Sequence, residues 1–151
     1  MDYNEAYARA LRLLNVRFLS EGELRRKLKV RHTGDEVIDE VLETLRQEHF
    51  VDDQRLAEAV YAYYARKGQY GHRYIVSRLQ KRQLPMPEDT PRVDEPAVAE
   101  QLVSRRFKDG TDPRKIARFL QYRGFFTFCH QGQILSDRGL VKHGYYAVGW
   151  L

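Results

Sequence analysis

The sequence predicts an all-α fold of three tandem repeats, each of two or three helices, with an irregular C-terminal tail. Three observations predict it. A short basic signature occurs three times, as ELRRKLKVR at residues 23–31, YIVSRLQKR at 74–82 and KIARFLQYR at 115–123. In each copy two aliphatic residues stand four apart (Leu24 and Leu28, Ile75 and Leu79, Ile116 and Leu120), and an Arg follows three residues later. A spacing of four puts the pair on one helical face and leaves the cations on the flanks. Second, the distance back to a preceding apolar helix is constant: Ala6 to Leu24, Ala57 to Ile75 and Val98 to Ile116 are each 18 residues. Third, the repeat interval is 51 residues and then 41, and the shortening falls on a cluster of prolines. Small units that cannot bury their own faces stack into arrays. The expected units are 1–51, 52–93 and 94–151.

The elements follow in order. Ala6, Ala10, Leu13 and Leu14 give a helix over 3–15. Ser20 followed by Glu23 is a capping box that opens the first basic helix, about 21–31. Thr33 and Glu36 repeat that spacing and are expected to open a third helix, apolar at Val37, Ile38, Val41, Leu42 and Leu45 and acidic on its other face. Asp52 caps the next helix and Asp53 sits near its positive end. Leu56, Val60, Tyr63 and Tyr64 are expected to face inward from it, with Gly68 as its stop. The second basic helix follows Gly71 over 72–83. Pro85, Pro87 and Pro91 then break the chain, so the second unit's third helix is shortened or lost. Asp94 and Pro96 start a helix to Phe107 with Val98, Leu102 and Val103 inward. Asp112 and Pro113 start the third basic helix, which runs to Tyr122 and ends at Gly124. Beyond Phe125 no helical period is sustained, and Leu135, Leu140 and Val141 suggest one or two turns at most. The tail is expected to be irregular.

Composition narrows the function. A chain of 151 residues with 42% hydrophobic content and a mean hydropathy of −0.65 suits small modules in series. Net charge +5 and a pI near 9.4 favour a polyanionic partner, either nucleic acid or an acidic protein face. A single cysteine, Cys129, excludes an internal disulfide and points to a reducing compartment. With no apolar leader pattern and no run long enough for a bilayer, a cytoplasmic protein with no membrane partner is expected.

The cations are not spread evenly. Residues 20–31, 71–82 and 112–123 hold 13 of the 26 Lys and Arg but three of the 21 acids. The 13 are Arg25, Arg26, Lys27, Lys29, Arg31, Arg73, Arg78, Lys81, Arg82, Arg114, Lys115, Arg118 and Arg123. A merely solvated face needs mixed signs, so segregation by helix points to a binding surface. Tyr70 and Tyr122 are the better candidates for surface stacking, whereas helical spacing assigns Tyr63 and Tyr64 to the core. No catalytic site is expected. Cys129 and His130 are chain neighbours with no orienting third group. His32, His49, His72, His130 and His143 lack metal-ligand spacing, and no phosphate loop of the Walker type occurs. Asp52 and Asp53 read as caps rather than metal ligands, and no cofactor is expected.

Several of these residues, in order, resemble the RecX family of recombination regulators. Arg17, Ser20, Glu23, Leu24, Lys27 and Leu28 match an R-x-x-S-x-x-E-L-x-x-K-L pattern. Val51, Asp52, Asp53, Arg55, Leu56 and Ala57 are similar to a hydrophobic-D-D-x-R-F-A signature. Gly71, Ile75 and Leu79 match the second basic helix, and Leu120, Arg123, Gly124 and Phe125 the R-G-F ending of the third. The resemblance covers about residues 6–125. It implies three tandem three-helix repeats in an elongated, curved array, binding to the RecA filament in its groove, contact with single- or double-stranded DNA, and damping of ATP hydrolysis and strand exchange; a monomer is expected. Reversing Arg78 and Arg82 to Glu is then expected to weaken binding and leave helicity intact. The alternative is a helical DNA-binding module that acts without RecA. Three departures stand out: prolines in place of the second unit's third helix, no Gly in Glu48-His49-Phe50 before the paired aspartates, and a tail unlike the family's final helix.

Overall fold

The structure, a computed structural model, describes residues 1–130, 133–136 and 139–141. These form helices α1 (Tyr3–Val16), α2 (Glu21–Lys29), α3 (Asp35–Gln47), α4 (Asp53–Arg66), α5 (His72–Lys81), α6 (Glu95–Arg106) and α7 (Pro113–Tyr122). Three short strands follow: β1 (Thr127–His130), β2 (Gln133–Ser136) and β3 (Gly139–Val141). The chain divides into two compact units, Met1–Ala62 with Ser77–Thr90, and Tyr63–Val76 with Pro91 onward.

In the first unit the core is aliphatic: Ala6, Ala10, Leu19, Leu24, Leu28, Ile38, Val41, Leu42, Leu45 and Val51 are buried. Each large member contributes roughly 1.5–3 kcal/mol by leaving water. Helix α1 starts at a capping box that the Asp2-x-x-Glu5 spacing encodes: the Glu5 N–H donates to Asp2 at 2.8 Å and the Asp2 N–H to Glu5 at 3.1 Å. Its alanines allow close packing on α3, where the Tyr3 hydroxyl donates to Thr44 Oγ1 at 2.8 Å and the Tyr7 hydroxyl to Glu48 at 2.7 Å. Helix α2 starts as expected, with the Glu23 N–H on Ser20 Oγ at 3.1 Å and the Ser20 N–H on Glu23 Oε2 at 2.9 Å.

Two expectations are corrected here. Helix α3 is capped by Gly34 without a side-chain bond, not by Thr33. Thr33 stands one residue too early for its hydroxyl to reach the first turn. It is buried, and its oxygen has no partner among the described residues. In α4, Ala57, Val60 and Tyr61 are buried, whereas Tyr63 is 49% exposed and Leu56 and Tyr64 are half-buried. The helix carries apolar or aromatic residues around much of its circumference, so periodicity alone leaves the stripe free to turn by one position. Asp52 caps α4 as expected, accepting from the Arg55 N–H at 3.1 Å. No helix forms between Lys81 and Glu95, where the prolines lie.

In the second unit Ala99, Val103, Ile116, Leu120 and Phe125 form the core, with Phe107 set edge-on to Phe119 at 5.3 Å. Asp94 caps α6 through the Ala97 N–H at 3.2 Å, and Asp112 caps α7 through the Arg114 N–H at 3.0 Å. The tail departs from helical structure, as expected, but it is not irregular where described. Thr127 pairs with Ser136 and His130 with Gln133 in one antiparallel ladder, and Ile134 pairs with Val141 in the next. Runs of three or four residues, two apart in sequence, suit hairpins and are too short for helices.

Several helices end on the same left-handed device. In α5 the Leu84 N–H bonds Leu79 O at 2.9 Å with Gln83 at φ 55°. In α7 the Phe125 N–H bonds Leu120 O at 3.1 Å with Gly124 at φ 83°. In α3 the Phe50 N–H bonds Leu45 O at 2.9 Å with His49 at φ 62°. These are Schellman endings, which favour glycine at the left-handed residue.

Candidate partner-binding surface

The basic helices are positioned by contacts at their ends. Within the first unit the start of α2 receives the chain after α5: Ser20 Oγ donates to Arg82 O at 2.6 Å. Arg82 also clamps Glu23, from Nε to Oε1 at 3.1 Å and from Nη2 to Oε2 at 3.2 Å, and donates to Phe18 O at 2.7 Å. Arg17 adds a second cation to Glu23 at 3.3 Å. Asp53 reaches the same turn and accepts the Glu21 N–H at 3.0 Å. The paired aspartates therefore cap two different helices.

Burial alone would raise the Glu23 carboxyl. The hydrogen bonds from Arg82 and the Ser20 N–H, with the charges of Arg82 and Arg17, outweigh it and hold Glu23 below the usual range. Asp53 goes the other way. Burial raises it, the neighbouring Glu21, Glu23 and Asp52 add to the rise, and the Glu21 N–H opposes them.

Within the second unit the start of α5 receives the chain after α7. The Gly71 N–H donates to Arg123 O at 2.7 Å and the Arg73 N–H to Gly124 O at 3.2 Å. A side chain on Gly71 would strike the Gly124 carbonyl, and one on Gly124 would strike the Tyr74 backbone. Glu95 ties the same region together, accepting the His72 N–H at 2.8 Å and the Phe126 N–H at 3.0 Å. Ser20 and Gly71 hold the same repeat position, as do Arg82 and Arg123, so the sequence repeat corresponds to a repeated contact.

The thirteen cations divide by what they touch. On α2, Arg25 pairs with Asp39 at 2.5 Å and Lys29 with Asp35 at 3.0 Å, so the acidic start of α3 neutralises them. On α5, Arg73 lies 4.6 Å over the Phe126 ring, Arg78 is engaged within the fold, and Arg82 holds Glu23. Beyond α7, Arg123 contacts the Phe119 and Tyr70 rings at 5.1 and 5.7 Å. Arg26, Lys27, Arg31, Lys81, Arg114, Lys115 and Arg118 are exposed and form no ion pair among the described residues. Sequence reasoning singled out all thirteen but could not separate these groups, because the partners of Arg25, Lys29 and Arg82 lie on other helices. Tyr122 is 88% exposed, as expected of a surface ring. No cluster of His, Cys, Asp and Glu suited to a metal ion occurs among the described residues, and no described helix is long and apolar enough to cross a membrane. Cys129, His130 and His143 fall outside the residues whose side chains are described.

Known proteins are similar to this chain in sequence and in fold. The first three-helix domain of RecX matches residues 6–45. The regulatory protein RecX of Trichlorobacter lovleyi is 33% identical over 138 residues, which cover 81% of this chain and 88% of that protein. The regulatory protein RecX of Cronobacter sakazakii is 32% identical over 144 residues, covering 82% and 87%. In fold, the crystal structure of RecX from Lactobacillus salivarius is similar with a TM-score of 0.69, at 21% identity over 82% of this chain and 88% of that one.

Proposed function

This chain belongs to the RecX family of regulatory proteins, and we propose that it binds the RecA recombinase filament and restrains its ATP turnover and strand exchange. It does so as a cytoplasmic monomer of three tandem units, 1–51, 52–93 and 94–151, that performs no chemistry of its own. The observation that carries the reading is the set of exposed, unneutralised cations on the basic helices, Arg26, Lys27 and Arg31 on and after α2 and Arg114, Lys115 and Arg118 on α7. Such cations suit an acidic protein groove or the phosphates of DNA held within it. Arg82 is a poor probe of that contact, because it holds Glu23 in place. Arg26→Glu with Lys27→Glu, and separately Arg114→Glu with Arg118→Glu, are the appropriate reversals.

The test is RecA ATP turnover and strand exchange with this protein titrated in. Inhibition that the reversals weaken is expected; no effect at several-fold excess over filament sites refutes the reading. The net charge of +5 favours a second reading, a DNA-binding module that acts without RecA. Gel-shift titration separates the two: affinity that falls steeply with salt and is unchanged by RecA favours the second.

A further inference from the structure

The contact at the start of a basic helix forms twice within the chain, but each of its halves occurs three times. In the first contact Ser20 Oγ donates to Arg82 O at 2.6 Å, the Gln83 side chain lies where a side chain on Gly22 would go, and the Arg82 side chain holds Glu23. In the second the Gly71 N–H donates to Arg123 O at 2.7 Å and the Arg73 N–H to Gly124 O at 3.2 Å. There Arg123 faces the Tyr70 ring, on which Tyr74 stacks. Intervals of 51 and 41 residues align Arg31, Arg82 and Arg123, and after them His32, Gln83 and Gly124. The same intervals align Ser20, Gly71 and Asp112, and likewise Glu23, Tyr74 and Lys115.

One half of each kind is left over. The turn after α2 has the shape of the other two: the His32, Gln83 and Gly124 N–H groups each bond the carbonyl three residues back at 3.0 Å, with φ of 58°, 55° and 83°. Arg31 and His32 are exposed, and among the described residues no hydrogen bond reaches their carbonyls and Arg31 forms no ion pair. At the start of α7, Asp112, Pro113, Arg114 and Lys115 are exposed as well. Unlike halves of one contact, both open on the same chain, can join copies head to tail without limit.

The residues at the start of α7 oppose such joining. Glu23 accepts from Arg82, whereas Lys115 at the same position would set an ammonium against Arg31 of a second copy. Ser20 donates to a carbonyl, whereas the Asp112 carboxylate has no proton to give and would face that oxygen. Helix formation does not call for this lysine. It stands in the first turn, where the macrodipole disfavours a cation, and α7 has no acid there while α2 has Glu21 and Glu23.

We infer that the end of α2 and the start of α7 are the two halves of a contact between copies of this chain, and that Asp112 and Lys115 keep it from forming. Mismatched charge at an otherwise complementary surface excludes the partner that the shape would admit. The block involves this chain alone and does not rest on the filament reading.

Sedimentation velocity over a range of protein concentrations tests it. The parent is expected to stay monomeric. Asp112→Ser with Lys115→Glu rebuilds the Ser-x-x-Glu start of α2, itself a sound helix cap. Its weight-average mass should rise about twofold or more between ~10 and ~500 µM, as a small interface allows. Adding Arg31→Ala should return it to monomer. Arg31→Glu alone leaves α7 untouched, puts a carboxylate opposite Lys115, and should associate more weakly because Asp112 remains; it decides the matter should the α7 variant lose helicity by circular dichroism. Two folded variants that both stay monomeric overturn the inference. So does association of the α7 variant that Arg31→Ala leaves unchanged, or a parent that already associates.

Discussion

Replacing Arg82 by Ala should destabilise the first unit, because Arg82 acts within the fold. Its side chain is 24% exposed, that of Glu23 is 7%, and Arg82 makes two hydrogen bonds to the carboxylate and one to Phe18 O. Removing one partner of a buried ion pair strands the other charge and costs about 3–5 kcal/mol. Arg17 remains 3.3 Å from Glu23, and Arg82 itself is partly wet. The expected cost is therefore nearer 2–3 kcal/mol, a fall in Tm of about 5–10 °C for a chain of this length. Urea unfolding followed by far-UV circular dichroism measures it, with Arg26→Ala as a surface control expected to stay within about 0.5 kcal/mol. The acid limb of stability carries the same signature. Folding holds Glu23 below its ordinary range, so its stabilisation is complete above the unfolded value and disappears as pH falls through the folded one. In Arg82→Ala that acid-dependent loss should shrink. A variant within about 0.5 kcal/mol of the parent, with an unchanged acid limb, would refute the reasoning.

Three further outcomes are expected. Gly71→Ala and Gly124→Ala should each cost about 3 kcal/mol or more in denaturant titrations: the first pushes a methyl into the Gly124 carbonyl, and the second adds left-handed strain to a collision with the Tyr74 backbone. His49→Gly should gain about 0.5–1 kcal/mol, since His49 holds a left-handed residue at φ 62° that glycine occupies without strain; a loss measured by thermal unfolding would contradict this. Asp53→Asn should stabilise at pH 7 and be neutral at pH 3. Folding raises Asp53, so its contribution is present below the unfolded value and lost as pH rises through the folded one, while Asn keeps an acceptor for the Glu21 N–H.

Legibility in the sequence follows the range of the interaction. The aliphatic pairs Leu24 and Leu28, Ile75 and Leu79, and Ile116 and Leu120 were all placed by spacing, and all are buried. The Ser20 box, the Asp52, Asp94 and Asp112 caps and the proline break are likewise local, and each was readable. Thr33 was misread because a capping pattern does not say which residue has the non-helical backbone. Tyr63 is exposed against expectation because α4 is apolar on too many sides for its period to choose a face. The tail strands were missed because each run is shorter than a reliable period. At the candidate surface, charge was legible and availability was not. Arg82 and Glu23 stand 59 positions apart, and no local pattern links them.

The contact at the start of α2 also constrains the order of folding. Ser20 and Arg82 are 62 residues apart, so the helix that begins at Ser20 can form early but cannot gain its far partner until most of the first unit has been made. Contacts of such separation slow folding relative to bundles held by neighbouring helices alone. During synthesis the Glu23 carboxylate should remain wet, served by Arg17 alone, until Arg82 has cleared the ribosome. A nascent chain arrested before Arg82 has left the exit tunnel should therefore be open to proteolysis around 17–23, and one long enough for residues 82–90 to have emerged should not.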